Sequence, residues 1–140
     1  MIILDTNVLS EVLKAAPEGR VIAWLKGRPR LSLFTTTVTR GEMLYGIRLL
    51  PEGRRREALW QAALAIFNED FAQRVLAFDD DAADAYADIG ASRRAAGRPI
   101  SQFDAMIAGI SRSRGSSLAT RNSRDFEGCG IEVVDPWSIS

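Results

Sequence analysis

The sequence predicts an α/β fold built on a parallel sheet with helices covering both faces. Three observations predict it: short continuous apolar runs of strand length, segments of helical period between them, and Gly or Pro at the joints. With 140 residues, 46% of them hydrophobic, the chain has the size and apolar content of one domain with one core, expected over 1–140. No repeat or linker divides it.

Ile2 to Leu4 reads as a strand buried on both faces, stopping abruptly at Asp5. From Thr6 to Lys14, Val8, Leu9, Val12 and Leu13 fall at helical spacing, and Pro17 lies beyond the end. Val21, Trp24 and Leu25 mark a second short helix before Gly27 and Pro29. Leu31 to Val38 is rich in β-branched and aliphatic residues and predicts a second strand. Thr39 then begins a helix carrying Met43, Leu44, Ile47 and Leu50, ended by Pro51 and Gly53. Arg54 to Phe67 is amphipathic, with Arg54, Arg55 and Arg56 at its start. Val75 to Phe78 predicts a third strand, followed by a helix from Asp80 to Ala96 and a break at Gly97-Arg98-Pro99. Ser101 to Arg114 is helical, with Phe103, Ile107 and Ile110 turned inward and Gly115 as its stop. Ser117 to Thr120 and Ile131 to Val134 are the last two strands.

Composition narrows the chemistry. With no histidine and a single cysteine, Cys129, the chain has no intrachain disulfide, no histidine-dependent triad and no His- or Cys-ligated zinc. Eighteen basic residues balance eighteen acidic ones, so a polyanion must be bound by a local patch rather than by net charge. The N-terminus lacks the features of a secretion signal and no long apolar stretch follows, so a cytoplasmic protein is expected.

The carboxylates stand where strands end and helices begin. Asp5, Glu42 and the segment Asn122 to Asp125 each follow a predicted strand. Right-handed crossovers put those strand ends along one edge, where open α/β sheets bind ligands. Singly, each acid also fits a helix cap; Thr39-Arg40-Gly41-Glu42 and Ser101-Gln102-Phe103-Asp104 have capping-box spacing. Asp104 follows a helix, and the pattern by itself does not bring it to the same edge. Gathered together, ionised carboxylates about 4 Å apart repel by roughly 4 kcal/mol per pair at an effective dielectric near 20. Such a cluster must protonate or take a cation. Hard oxygen donors favour Mg²⁺ or Mn²⁺, and the usual companion of Mg²⁺ is a phosphate, so phosphodiester chemistry fits best.

Four segments then carry a resemblance: Ile3-Leu4-Asp5-Thr6-Asn7-Val8-Leu9, Thr39-Arg40-Gly41-Glu42, Ile100-Ser101-Gln102-Phe103-Asp104-Ala105-Met106-Ile107-Ala108, and Leu118-Ala119-Thr120-Arg121-Asn122 with Asp125-Phe126. With Val133-Val134-Asp135-Pro136-Trp137 at the end, the whole chain resembles a PIN-domain ribonuclease toxin of the VapC family. The resemblance implies a three-layer α/β/α domain with a central, mostly parallel sheet. It implies a metal-dependent endoribonuclease of a type II toxin-antitoxin pair, with Asp5, Glu42 and Asp104 lining one acidic pocket that binds Mg²⁺ or Mn²⁺. The family's fourth acid often stands where this chain has Asn122, and Asp125 is the candidate substitute. In this reading Asp5 and Asp104 chiefly hold the metal, while Glu42 and Asp125 position water or a second ion. Thr6, Asn7, Thr120 and Asn122 fix the acids and the phosphate.

All but two of the 18 basic residues, Lys14 and Lys26, are arginine. Arg121 and Arg124, beside the inferred site, are the candidates for RNA contact, followed by Arg40. The resemblance further implies a VapB-like antitoxin, a homodimer, and a higher assembly with the antitoxin on operator DNA. Val12, Leu13, Trp24, Leu25 and Leu49 offer apolar surface for an amphipathic partner. The competing reading is an impaired acidic binding module of the same fold. A receiver domain and a haloacid-dehalogenase-like phosphatase fit poorly, for want of a late lysine and of an Asp at position 7.

Overall fold

The computed structural model describes residues 1–138. Five strands, β1 (Ile2–Leu4), β2 (Leu33–Thr36), β3 (Val75–Leu76), β4 (Ser117–Ala119) and β5 (Val133–Val134), form one parallel sheet in the order β3-β2-β1-β4-β5. Strand β1 is central, and its partner β4 lies more than a hundred positions later, with Ile3 opposite Leu118 and Leu4 opposite Ala119. The helices are α1 (Thr6–Val12), α2 (Gly19–Lys26), α3 (Thr37–Arg48), α4 (Arg54–Ala65), α5 (Asp80–Ala95) and α6 (Gln102–Arg114).

Successive residues of β1 serve opposite faces, as strand geometry requires. Leu4 joins a core with Val8, Leu9, Trp24, Phe67 and Trp137 beneath α1 to α4. Ile3 joins a second core with Ile89, Ile107, Ile110, Leu118 and Phe126 beneath α5 and α6. Each such side chain, fully buried, contributes about 1.5–3 kcal/mol. This is the three-layer arrangement that the alternating pattern predicts.

Helices α5 and α6 run antiparallel. Arg114 at the end of α6 meets Asp79 at the start of α5, and Arg93 at the end of α5 faces Ser101 and Asp104 at the start of α6. They cross so closely at Gly109 that an added Cβ would lie 2.6 Å from the Ala82 carbonyl oxygen. Helix α6 stops at Gly115 in the left-handed conformation, φ 62°, which glycine adopts without penalty.

Several expectations change, beginning with β3 and β5, which are each two residues shorter than the predicted Val75 to Phe78 and Ile131 to Val134. The second strand is shorter than Leu31 to Val38, because the Thr36 hydroxyl accepts a hydrogen bond from Thr39 N at 3.0 Å and starts α3 at Thr37. Thr39 is therefore not the cap, and Glu42 lies in the second turn rather than in a capping box. Phe103 is 54% exposed rather than inward, because it stands in the first turn of α6 and its side chain lies outside both cores, unlike those of Ile107 and Ile110.

Candidate active site

Asp5 terminates the central strand and caps α1, its Oδ1 accepting from Thr6 N at 2.8 Å. Its Oδ2 accepts from the Thr120 hydroxyl at 2.7 Å, one residue past β4. Thr120 Oγ1 in turn accepts from Asn7 Nδ2 at 3.2 Å and from Asn122 N at 3.1 Å. Asn7 Oδ1 accepts from Arg121 N at 3.3 Å, which closes a network between the ends of the two middle strands. The cap reading of Asp5 is thus correct, and it describes only one of the two oxygens.

Glu42 is brought in by α3. The Thr6 hydroxyl donates to Glu42 Oε1 at 2.9 Å and lies 3.1 Å from Thr39 Oγ1. Asp104 is brought in by α6, whose cap Ser101 accepts from Asp104 N at 3.2 Å. The pattern in the sequence did carry a signal for this placement. A helix that feeds directly into a parallel strand must begin at the edge where the other strands end, so the first turn of α6 belongs beside Asp5. Asp125 lies in a 3-10 turn after β4 and lines a small cavity of about 140 Å³ with Asp104, Ser101 and Arg93.

Electrostatics bind these acids into one group. Burial pushes Asp5 from its usual 3.8 up to about 6, with Asp104 and Glu42 adding to the rise against the hydrogen bonds from Thr120 and Thr6. Burial also raises Glu42 and Asp104, helped by repulsion from Asp104 and from Asp125 respectively. Among the described residues, none of the four acids makes a salt bridge. Nor do three of them converge tightly enough to form a finished metal cage. The donor set nevertheless suits a hard cation: carboxylates, hydroxyls and amides stand at this edge, without a histidine, and Cys129 is buried elsewhere in the second core. Mg²⁺ typically uses one or two carboxylates and keeps several waters, which spans carboxylates set apart in this way.

The remaining predicted residues divide. Thr6, Asn7 and Thr120 are in the network; Thr39 and Ser101, read in the sequence only as capping residues, stand beside Thr6 and Asp104, and Arg93, beside Asp104 and Asp125, is not marked by the sequence pattern. Asn122 contributes its backbone N–H, while its side chain is exposed. Arg121 is exposed with its guanidinium over Trp137, 5.2 Å from the ring centre, and Arg124 is exposed and outside every ion pair of the described residues. Arg40 points away, donating to Asn68 Oδ1 at 2.9 Å and lying over Phe67. Two grooves adjoin the acids. One of about 770 Å³ is lined by Val38, Glu42, Tyr45, Phe78, Phe103 and Met106; another of about 310 Å³ runs from Thr6 and Glu42 along Leu13, Met43, Ile47 and Leu59.

Comparison with known proteins agrees with this architecture. The family model described as PIN domain matches residues 2–129. Plasmid stability protein StbB of Pseudomonas syringae pv. tomato is 39% identical over 137 residues, covering 98% of this chain and 99% of that protein. VapC ribonuclease Y4jK of Sinorhizobium fredii is 36% identical over 137 residues, covering 98% of both. The solved structure of FitAB bound to an IR36 DNA fragment superposes with a TM-score of 0.93 at 33% identity, covering 100% of this chain and 98% of that one. By fold, by sequence along nearly its whole length, and by this structural likeness, the chain belongs to the PIN-domain family of VapC-like toxin ribonucleases.

Proposed function

We propose that the protein is the toxin of a type II toxin-antitoxin pair, a metal-dependent endoribonuclease that hydrolyses RNA phosphodiester bonds at Asp5, Glu42, Asp104 and Asp125. The observation that carries this reading is the group of mutually repelling acids at one sheet edge, none of which is paired in a salt bridge among the described residues. Asp5 and Asp104, with Glu42, would hold Mg²⁺ or Mn²⁺. When bound, such an ion polarises a phosphate oxygen and lowers the pKa of a bound water.

The chain's own residues do the rest. Thr6 and Thr120 fix both oxygens of Asp5, so the carboxylate is oriented before substrate arrives. Thr6 holds Glu42 through Oε1 and leaves Oε2 to accept a proton or orient a water, a role favoured by its raised pKa. Asp125, exposed at the rim, fills the place that Asn122 does not; an amide can bind a water but not take its proton. Asn7 and the backbone around Thr120 and Asn122 shape the edge that meets the phosphate, and Arg121 and Arg124 supply positive charge beside it.

The relative named VapC ribonuclease supports the reaction class, and the FitAB complex on DNA supports an antitoxin partner and a higher assembly on operator DNA. In the same reading the chain works as a single domain in the cytoplasm and pairs as a homodimer. No helix among the described residues is long and apolar enough to cross a membrane. Of the apolar residues predicted for a partner, Leu49 is 68% exposed and Leu13 lines the groove beside Thr6, whereas Trp24 is core.

The test is cleavage of a structured RNA with Mg²⁺ or Mn²⁺, with and without chelator. Asp104→Asn should cut at least 100-fold more slowly with an unchanged circular dichroism spectrum. Full activity in that variant, or in the presence of chelator, would end the proposal.

A further inference from the structure

Arg93, in the last turn of α5, is only 7% exposed, yet its guanidinium has no carboxylate partner among the described residues. It is satisfied by backbone instead. Nε donates to the Arg98 carbonyl at 2.8 Å, and Nη1 donates to the Asp125 and Glu127 carbonyls at 2.8 and 2.9 Å. Cys129 Sγ completes the contact at 3.5 Å. Burying a cation against neutral acceptors is costly, and an apolar side chain would fill the same space more cheaply. What an apolar side chain cannot do is join two separate loops: the turn leading into Asp104, and the segment that carries Asp125. The rigid fork of arginine does so with fixed geometry. Arg93 also lines the small cavity that Asp104 and Asp125 share, and its positive field reaches Asp104.

We propose that Arg93 is a positioning residue for the acidic site: its buried guanidinium ties the α5–α6 turn to the segment following β4 and so sets how Asp104 and Asp125 stand to one another. The inference rests on the proposed site and adds a residue that touches neither metal nor RNA. It is tested on RNA-free protein by titrating Mn²⁺ under electron paramagnetic resonance, together with amide hydrogen exchange, in wild type, Arg93→Met, Arg93→Lys and Asp104→Asn. Arg93→Met keeps the aliphatic stem and removes every donor. Mn²⁺ affinity should fall at least tenfold, and exchange should quicken tenfold or more across residues 97–101 and 122–129 while β1 stays protected. Arg93→Lys, which keeps the charge but not the fork, should lie between and serves if the Met variant does not fold. A merely structural role predicts faster exchange everywhere with Mn²⁺ affinity unchanged per folded molecule, and that result overturns the proposal. If Asp104→Asn loses Mn²⁺ binding but neither Arg93 variant does, only this inference falls. If Asp104→Asn binds as wild type does, the site itself is wrong and the inference falls with it.

Discussion

The Thr120 hydroxyl is the hinge of the site at the scale of single residues, because it donates to Asp5 while accepting from Asn7 and from the Asn122 backbone. Thr120→Val keeps the shape and removes all three bonds, leaving a buried carboxylate oxygen without its donor. Stability should fall by about 1–3 kcal/mol in denaturant titration, with a further loss of cleavage. Asp5 itself makes a prediction about pH. Its folded-state pKa, about 6, lies above the usual 3.8, so the folded chain binds this proton more tightly than the unfolded chain. The stabilisation from protonation is therefore complete below 3.8 and is lost as pH rises through about 6. In metal-free protein Asp5→Asn should exceed wild type by up to roughly 3 kcal/mol above pH 6.5, and the gap should shrink towards pH 4. Denaturant curves across that range check the sign; a gap that widened on acidification would contradict it.

Among the elements, the α5–α6 hairpin carries Asp104 at the start of α6 and Arg93 at the end of α5. Its crossing depends on Gly109, where a methyl group would press on the Ala82 carbonyl and the backbone of Tyr86. Neither neighbour is the flexible end of a side chain, so Gly109→Ala should destabilise by about 1–3 kcal/mol, read as a lower melting temperature. The same hairpin shows what the sequence made legible. The five strands, the six helices and the stop at Gly115 follow from apolar period and turn residues. The start of α3 did not, because Thr36 and Thr39 are chemically alike as caps and only the bond from Thr39 N distinguishes them. Asp104 was accessible from topology, since α6 feeds β4, although its neighbour Phe103 reads as core from spacing alone. Arg93 was not accessible, because its value lies in three carbonyls whose approach no periodicity encodes.

For the whole molecule, the proposed cation site predicts that metal binding is coupled to folding, because the acids at one sheet edge repel one another. Mg²⁺ or Mn²⁺ at about 100 times its dissociation constant should stabilise the protein by roughly 2.7 kcal/mol, and Asp104→Asn should abolish most of that gain. Thermal melts with and without chelator measure it. The strand order has a separate consequence. Strand β1 is made first, but its neighbour β4 and the hydroxyl that steadies Asp5 come near the end of the chain. A nascent chain still tethered to the ribosome at residue 110 has every element of the first layer and no finished cutting edge. On the proposed reading, the chain should therefore not cleave RNA until almost all of it has been made, because the donor that orients Asp5 arrives so late.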